Sequence, residues 1–204
     1  MTGAFVAVVG PSGSGKDAIL ERARQALADD AGIVFPRRRI TRPAGPGEDH
    51  EPVSESELAA AERRGELALT WRAHGLAYGI GAHVLDVAAA GGVVVANLSR
   101  GVLQQLPGLF ADVRVVRVTV SDEVRLARIL ARGREDETAA AARVARRDPA
   151  PDHRVDLEIV NDGTLEQASA QLVQLVTRVR DSAQVTSDGA TALARTRASA
   201  VPGP

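Results

Sequence analysis

A glycine-rich turn that joins an apolar strand to an amphipathic helix constrains the fold of this chain more than any other feature. The run AFVAVV at residues 4–9 is continuously apolar, as is typical of a strand buried in a parallel sheet. The sequence GPSGSGKD follows at residues 10–17, and apolar residues then recur at helical spacing from Ile19 to Leu27. A strand, a glycine-rich turn and a helix in this order predict an α/β fold that binds phosphate groups.

The turn matches the phosphate-binding motif G-x-x-x-x-G-K. Glycines let the backbone fold into a nest of N–H groups around one phosphate, and the following helix adds its positive end. Lys16 can then reach the β- and γ-phosphates of ATP and balance charge as the γ-phosphoryl group moves. We expect the ATP site to be formed by Gly10, Pro11, Ser12, Gly13, Ser14, Gly15, Lys16 and Asp17.

Asp17 departs from the usual motif, in which a Ser or Thr hydroxyl at this position ligates Mg²⁺. A carboxylate oxygen is also a suitable Mg²⁺ ligand, so Asp17 could bind the metal directly or through water. The alternative is that Asp17 only caps the helix, since acidic residues are favoured in the first turn. The residues alone leave both interpretations open.

Strands and helices continue to alternate along the chain. Further strands are predicted at residues 92–97, 114–120 and 157–160. Ser121 is a candidate cap for one helix, and Thr164 with Gln167 matches a capping box for a helix that runs to about Asp181. This alternation predicts a three-layer α/β fold with a mostly parallel central sheet.

Two segments lack this pattern. Residues 37–52 are rich in Arg, Gly, Pro and acidic residues, and we interpret them as a mobile loop on the acceptor side that leads into a short helix at about residues 55–64. Residues 182–204 contain Ala, Ser, Thr and Arg without a large apolar stripe. We therefore predict one domain at residues 1–181 and a disordered tail at residues 182–204.

Composition and charge narrow the function classes. The chain has 25 Lys and Arg residues against 26 Asp and Glu residues, so its net charge of −1 gives no general attraction to nucleic acid or to an anionic membrane. It has no cysteine, which excludes disulfides, thiolate metal sites and a cysteine nucleophile, and its four histidines lack metal-ligand spacing. Its longest apolar stretch, residues 84–98, is too short to span a membrane, and no signal-peptide pattern is present. We expect a cytoplasmic protein that acts on a small molecule, without a nucleic-acid or membrane partner.

Arginines are concentrated in the segment that follows Ser121. Arg125, Arg128 and Arg132 lie on one face of a predicted helix, where like charges repel one another unless an anion is present. The stretch GREDET at residues 133–138 is typical of a lid loop, and Arg143 lies on the next helical segment. Beside an ATP loop, this cluster predicts phosphate binding by a lid whose closure would exclude water.

A second basic cluster lies on the acceptor side. It consists of Arg37, Arg38, Arg39 and Arg42. Arg42 follows Thr41 in a glycine-rich loop, so we favour phosphate binding by Arg42. Tyr78, the only tyrosine, could donate a hydrogen bond to a phosphate or simply pack at a turn, and the residues alone leave this open.

The order of these motifs resembles that of the guanylate kinase-like P-loop kinases, and among them most closely the ribose 1,5-bisphosphate phosphokinases of phosphonate breakdown. The resemblance covers about residues 4–180. It is carried by GPSGSGKD at 10–17, ITR at 40–42, LTWRAHGLAYGI at 69–80, ANLSR at 96–100, RGRE at 132–135 and NDG at 161–163. The GKD ending and the WRAHGLAYG segment are the most specific of these.

The resemblance implies a three-layer P-loop kinase with an acceptor-binding insertion and an arginine-rich lid, which uses ATP and Mg²⁺ to convert ribose 1,5-bisphosphate to 5-phosphoribosyl 1-diphosphate. It implies that residues 10–17 bind ATP and that Arg132 and Arg143 close over its phosphates. In the same way, Arg42 and Tyr78 would hold the acceptor phosphate, and Asn161 and Asp162 would lie near adenine.

Two alternatives remain. A nucleoside monophosphate kinase such as guanylate kinase is disfavoured because Leu69 and Ile80 stand where that family reads guanine through Glu and through Ser or Thr. A non-catalytic binding module of the same fold is the second alternative. Such a module has little reason to keep Lys16 and a lid rich in arginine.

Overall fold

The computed structural model describes residues 3–45, 48–131 and 153–199, with side chains of the last helix described to residue 185. In chain order the elements are β1 (Ala4–Val9), α1 (Lys16–Ala26), β2 (Ile33–Val34), β3 (Arg38–Ile40), β4 (His50–Pro52), α2 (Glu55–Arg63), β5 (Leu67–Ala73), β6 (Leu76–Gly81), α3 (His83–Ala89), β7 (Val93–Asn97), a 3₁₀ helix (Arg100–Gly108), β8 (Asp112–Thr119), α4 (Asp122–Leu130), β9 (Leu157–Val160) and α5 (Leu165–Ser199).

The central sheet has five strands in the order β2-β7-β1-β8-β9, and all its pairings are parallel. The predicted mostly parallel sheet is thus confirmed, and the four strands predicted from apolar runs lie within two residues of their expected bounds. The first strand, β1, is the middle strand and is completely buried, as its continuous apolar run requires.

Helices cover both faces of this sheet. Side chains alternate across β1, so Val6 and Val8 pack on one face against residues of α1 and α5 such as Ile19 and Leu172. Phe5, Ala7 and Val9 point to the opposite face, where α3 and the 3₁₀ helix complete a second core. The result is the expected three-layer architecture, with the carboxyl end of β1 leading directly into the glycine-rich turn.

A second sheet forms the acceptor-side insertion, with strand order β4-β3-β6-β5. The prediction that residues 37–52 are a loop is wrong in part, because β3 and β4 lie within this segment and pair in parallel. Ile40 of β3 also pairs with Tyr78 of β6 in antiparallel register. These strands are three residues long and rich in charge, so they carry no apolar alternation that a sequence pattern could reveal.

The predicted helix caps are present. The Ser121 hydroxyl accepts a hydrogen bond from Val124 N at the start of α4. Thr164 N donates to Gln167 Oε1, and Gln167 N donates to Thr164 Oγ1, which is the reciprocal pattern of a capping box.

The last helix is longer than predicted. It continues from the expected end at Asp181 to Ser199, so the helix extends into the segment that was predicted as a tail. The first proline of the segment is Pro202, so no proline interrupts the helix before its end. Ala183 is still buried, whereas Val185 is 74% exposed. The division into a domain and a tail at residue 181 stays a prediction. Within the described part of the chain, no helix has the length and apolar character needed to cross a membrane.

Candidate active site

The loop between β1 and α1 has the backbone of a phosphate nest. Gly10, Gly13 and Gly15 have φ angles of 147°, 88° and 88°, a region that residues with a side chain rarely adopt. A Cβ on Gly10 would also collide with the carbonyl oxygen of Val118, and one on Gly15 with the side-chain amide of Asn161. Glycine is therefore required here both by conformation and by the lack of space.

Lys16 folds back over this loop. Its Nζ donates to the carbonyl oxygens of Gly10, at 2.9 Å, and Pro11, at 2.8 Å, and it lies 3.4 Å from Ser14 Oγ. The ammonium group is thus held at the start of the loop, where it can exchange backbone carbonyls for phosphate oxygens.

Two arginines of α4 brace the loop from behind. Arg125 is only 7% exposed, and its Nε donates to the carbonyl oxygen of Ser12 at 2.9 Å. Arg128 Nη2 donates to the carbonyl oxygen of Asn161 at 3.1 Å. Arg128 Nη1 is buried and has no hydrogen-bond partner within the described residues. Of the three arginines predicted on one face, Arg125 thus supports the loop backbone and Arg128 supports Asn161, while Arg132 lies outside the described residues.

Asn161 and Asp162 connect the loop to the end of β9. Asn161 is 4% exposed and its Nδ2 donates to the carbonyl oxygen of Ser14 at 2.8 Å. Asp162 Oδ1 accepts a hydrogen bond from Ser121 N at 2.9 Å. Both residues expected near adenine thus lie beside the loop, where they support its backbone and the start of α4.

Asn161→Ala should weaken both the fold and ATP binding. The change leaves the buried Ser14 carbonyl without its donor, which costs about 1–3 kcal/mol of stability. The loop then loses its brace, so we expect the KM for ATP to rise several-fold more than kcat falls. Thermal unfolding and initial-rate kinetics measure the two effects.

Glu158→Gln is the control, because Glu158 is an exposed side chain on β9, the strand that ends just before Asn161. It should leave the melting temperature and the KM for ATP unchanged. An Asn161→Ala protein with wild-type stability and KM would contradict the bracing role.

The carboxylate of Asp17 is held by two side chains from outside its helix. Its Oδ1 accepts from Asn97 Nδ2 at 2.8 Å and from Arg38 Nη2 at 3.2 Å. Asn97 ends β7, beside β1 in the sheet, whereas Arg38 belongs to β3 of the insertion. Asp17 thus links the loop, the central sheet and the acceptor side, a role beyond the helix capping that the sequence left open.

The surroundings of Asp17 fit Mg²⁺ bound largely by substrate. Among the described residues, no three His, Cys, Asp or Glu side chains converge in a way that could hold a metal ion. Mg²⁺ at kinase sites usually needs only one or two protein carboxylates, with phosphate oxygens and water completing the octahedron. The Asp17 side chain is 44% exposed next to the phosphate loop, so it can supply one such ligand.

Arg42 is paired with an acidic residue of its own loop. Its Nη1 donates to Glu48 Oε2 at 2.6 Å and to the carbonyl oxygen of Pro43 at 3.1 Å. The hydrogen bond to Glu48 raises the pKa of Arg42 above its ordinary value, and the fields of Glu48, Tyr78 and Asp17 act in the same direction. Glu48 is thus the main partner of the Arg42 guanidinium.

Tyr78 lies on β6 of the insertion and is oriented by Trp71. The two rings are stacked, with centroids 5.1 Å apart and an interplanar angle of 5°. Trp71 is fixed in turn by a 2.9 Å hydrogen bond from its Nε1 to Ser99 Oγ. Tyr78 thus sits on a rigid surface rather than at a turn.

A cleft of about 370 Å³ separates the insertion from α1 and the end of β7. It is lined by Asp17, Leu20, Glu21, Arg24, Phe35, Pro36, Arg38, Glu48, Asp49, Val95, Ala96 and Asn97. The cleft borders the phosphate loop at Asp17, and its charged lining consists of two arginines and four carboxylates. Arg38 contacts Asp17 there.

Leu69 and Ile80 face each other across β5 and β6 and are 1% and 0% exposed. Both belong to the apolar core between the insertion and the central sheet. Neither side chain therefore offers a polar or accessible group to a base. Arg132 and Arg143, predicted as lid residues, lie outside the described residues.

Sequence reasoning did not identify Arg38, Asn97 and Glu48 as site residues. Asn97 could have been found, because it ends an apolar strand and parallel strands meet at their carboxyl ends. Arg38 is indistinguishable in sequence from its basic neighbours, and Glu48 lies in a segment without periodicity.

Comparison with known proteins finds relatives that are similar to this chain over most of its length. No protein-family model matches the chain. A ribose 1,5-bisphosphate phosphokinase PhnN from Pseudofrankia inefficax is 57% identical over 174 residues, which cover 85% of this chain and 90% of that protein. A protein of the same name from Acidiphilium cryptum is 43% identical over 88% of this chain and 96% of its own length.

The fold has a solved counterpart. A guanylate kinase from Anaplasma phagocytophilum superimposes with a TM-score of 0.63, covering 87% of this chain and 86% of that one, at 19% sequence identity. At this identity the likeness concerns the fold alone, and it confirms the P-loop kinase architecture.

Proposed function

The chain belongs to the family of ribose 1,5-bisphosphate phosphokinases, and we propose that it transfers the γ-phosphoryl group of ATP to ribose 1,5-bisphosphate, releasing ADP and 5-phosphoribosyl 1-diphosphate. The observation that carries the proposal is the 57% identity to a PhnN protein over nearly its whole length. Phosphorus NMR of a reaction with ATP and ribose 1,5-bisphosphate tests it directly.

The donor site is the loop at residues 10–17. The N–H groups of the loop and the N-terminus of α1 would bind the phosphates of ATP, and Lys16 would follow the γ-phosphoryl group during transfer. The buried Arg128 Nη1, which has no partner among the described residues, supports a ligand beside the loop. When bound, Mg²⁺ would neutralise phosphate charge, and Asp17 is the residue that would hold it.

The chemistry needs no general base. An oxygen of the acceptor 1-phosphate is already ionised at neutral pH and attacks the γ-phosphorus, while the bond to the bridging oxygen breaks and its electron pair stays on ADP. The protein then has two tasks, which are to align the phosphates and to stabilise the charge that moves between them. Lys16 performs the second task from the loop, together with Arg132 and Arg143 if these close from the lid.

On the acceptor side, Arg42 and Tyr78 would bind a phosphate of the sugar. Arg42 is paired with Glu48 at 2.6 Å, so a phosphate would have to compete with that carboxylate or bind alongside it. The phenol of Tyr78 is a suitable hydrogen-bond donor because stacking on Trp71 fixes the direction of its ring.

Guanylate kinase activity is the alternative suggested by the fold neighbour. The buried apolar pair Leu69 and Ile80 does not support it, because a guanine would find no polar partner there. A non-catalytic binding module is disfavoured by the complete phosphate loop with Lys16.

Asp17→Ala should raise the Mg²⁺ concentration needed for half-maximal rate, because the metal loses its protein carboxylate. Rates measured over a series of Mg²⁺ concentrations at fixed total ATP give this value. Asp86→Ala is a matched control, since Asp86 lies in the first turn of α3 as Asp17 does in that of α1. A Mg²⁺ dependence equal to that of wild type in Asp17→Ala would remove the residue from the metal site.

A further inference from the structure

Arg38 differs from the other basic residues of its strand. Side chains alternate along β3, so Arg39 points to the opposite side from Arg38 and pairs with Glu51 at 3.2 Å. Arg37 is 60% exposed and pairs with Asp49. Arg38 is only 19% exposed and lines the cleft beside the phosphate loop. Among the basic run at residues 37–39, Arg38 is thus the residue that lines the cleft and contacts Asp17.

The partner of Arg38 is the candidate metal ligand. Arg38 Nη2 contacts Asp17 Oδ1 at 3.2 Å, and Asn97 Nδ2 holds the same oxygen at 2.8 Å. Asp17 keeps its hydrogen bond from Asn97 if Arg38 leaves, so the arginine can move without leaving the carboxylate unsupported. A metal ion at Asp17 would compete with Arg38 for the negative charge that holds the guanidinium.

We propose that Arg38 binds a phosphate of the acceptor, and that Asp17 sequesters it until Mg²⁺ binds to the carboxylate. The inference rests on the proposed function and adds a residue and an order to it. Without metal, the arginine is neutralised by Asp17 and attracts an anion weakly. With metal, its guanidinium becomes available to make a forked, charge-assisted pair with phosphate.

The chemistry of the acceptor supports a second arginine. Ribose 1,5-bisphosphate carries two phosphate groups, and Arg42 alone, already bound to Glu48, provides one guanidinium. Arg38 and Arg42 lie four residues apart on one strand and the loop that follows it, and Asp17 contributes to the electrostatic environment of Arg42. A bisphosphate acceptor can therefore use both.

This arrangement couples two binding events. Mg²⁺ and Arg38 compete for Asp17. Mg²⁺ releases Arg38 to the acceptor, and an acceptor that binds Arg38 leaves Asp17 to Mg²⁺, so the coupling must be reciprocal. Mg²⁺ should tighten acceptor binding, and the acceptor should tighten Mg²⁺ binding. The metal-free enzyme is thereby kept from filling its acceptor site.

The decisive experiment measures binding rather than turnover. Ribose 1,5-bisphosphate is titrated calorimetrically into wild-type protein and into Asp17→Asn, both in EDTA. Asn keeps an oxygen for Asn97 but loses the charge that holds Arg38, so this variant should bind the sugar bisphosphate at least about fivefold more tightly than wild type. Binding equal to or weaker than wild type would overturn the proposal, because loss of a merely structural ion pair gives no gain in affinity.

Variants of the arginines provide the second arm. Arg38→Met should bind ribose 1,5-bisphosphate at least about tenfold more weakly than wild type in Mg²⁺ with ADP, which is the loss expected for one charge-assisted contact. The double variant with Asp17→Asn and Arg38→Met should bind ribose 1,5-bisphosphate no more tightly than Arg38→Met alone, because the arginine that Asp17 would release is absent. Arg39→Met removes the same charge from the opposite side of β3 and should stay within about twofold of wild type. Equal losses in Arg38→Met and Arg39→Met would contradict a specific role for Arg38.

The two levels of the proposal fail in different ways. If wild-type protein phosphorylates ribose 1,5-bisphosphate but Asp17→Asn shows no gain in metal-free affinity, the role of Arg38 is wrong and the proposed function stands. If wild type neither binds nor phosphorylates this sugar, both are wrong. Melting temperatures of each variant show that differences in binding come from folded protein. If Arg38→Met does not fold, the Asp17→Asn arm still decides, because it retains Arg38.

Discussion

With ATP and Mg²⁺, ribose 1,5-bisphosphate should be phosphorylated with a kcat/KM at least about a hundredfold above that for GMP. Guanine recognition needs polar groups, whereas Leu69 and Ile80, which stand where guanylate kinases read the base, are apolar and buried in the core. Each unpaired buried polar group costs about 1–3 kcal/mol, so two such losses account for a hundredfold or more.

Both acceptors can be compared in one coupled assay for ADP, with phosphorus NMR to identify the diphosphate product. A reaction without acceptor corrects for hydrolysis of ATP. If GMP proves to be the better acceptor, the chain is a nucleotide kinase despite its relatives, and the alignment of Leu69 and Ile80 with the guanine-reading positions is wrong.

Lys16→Ala should lower phosphoryl transfer by at least about a hundredfold, roughly 2.7 kcal/mol of transition-state stabilisation, while the protein remains folded. The ammonium group donates to carbonyl and hydroxyl oxygens of its own loop, and water can solvate these oxygens once the side chain is shortened. In the proposed mechanism, however, water cannot replace the positive charge that Lys16 would bring to the γ-phosphoryl group.

Arg22→Ala is the control for Lys16→Ala. Arg22 lies on the same helix, and its side chain is 49% exposed in a surface ion pair with Glu166. Its removal takes away one positive charge from α1 without touching the loop, so turnover should stay within about twofold of wild type. A Lys16→Ala protein with comparable turnover and a wild-type melting temperature would show that the lysine is not part of the catalytic machinery.

The backbone of the proposed donor site was predictable because its signals are local. Its residues lie in one short segment that ends in a helix. The backbone geometry requires the glycines at positions 10, 13 and 15, and the charge of Lys16 is suited to phosphate. Asn161 was also identified, although only through the family resemblance, and its support of the Ser14 carbonyl became visible in the fold.

The acceptor half was only partly predictable because its contacts are distant in sequence. Arg42 and Tyr78 were singled out, but their partners Glu48 and Trp71 were not. The insertion strands β3 and β4 carry charged residues without alternation, so nothing in their pattern distinguishes a strand from a loop. Their pairing is decided by hydrogen bonds to β6 and to each other.

By itself, the sequence determined the parallel α/β core and the glycine-rich loop, since apolar runs and glycine positions report local conformation directly. The family followed from the resemblance of its motifs. Only the tertiary structure decided which arginine faces the cleft and what holds Asp17. Arg38 is 21 residues from Asp17 and Asn97 is 80 residues away, so their meeting depends on how the insertion packs against the carboxyl ends of the central strands. A residue's charge is known from its type, but the partner that neutralises this charge is decided by packing between elements.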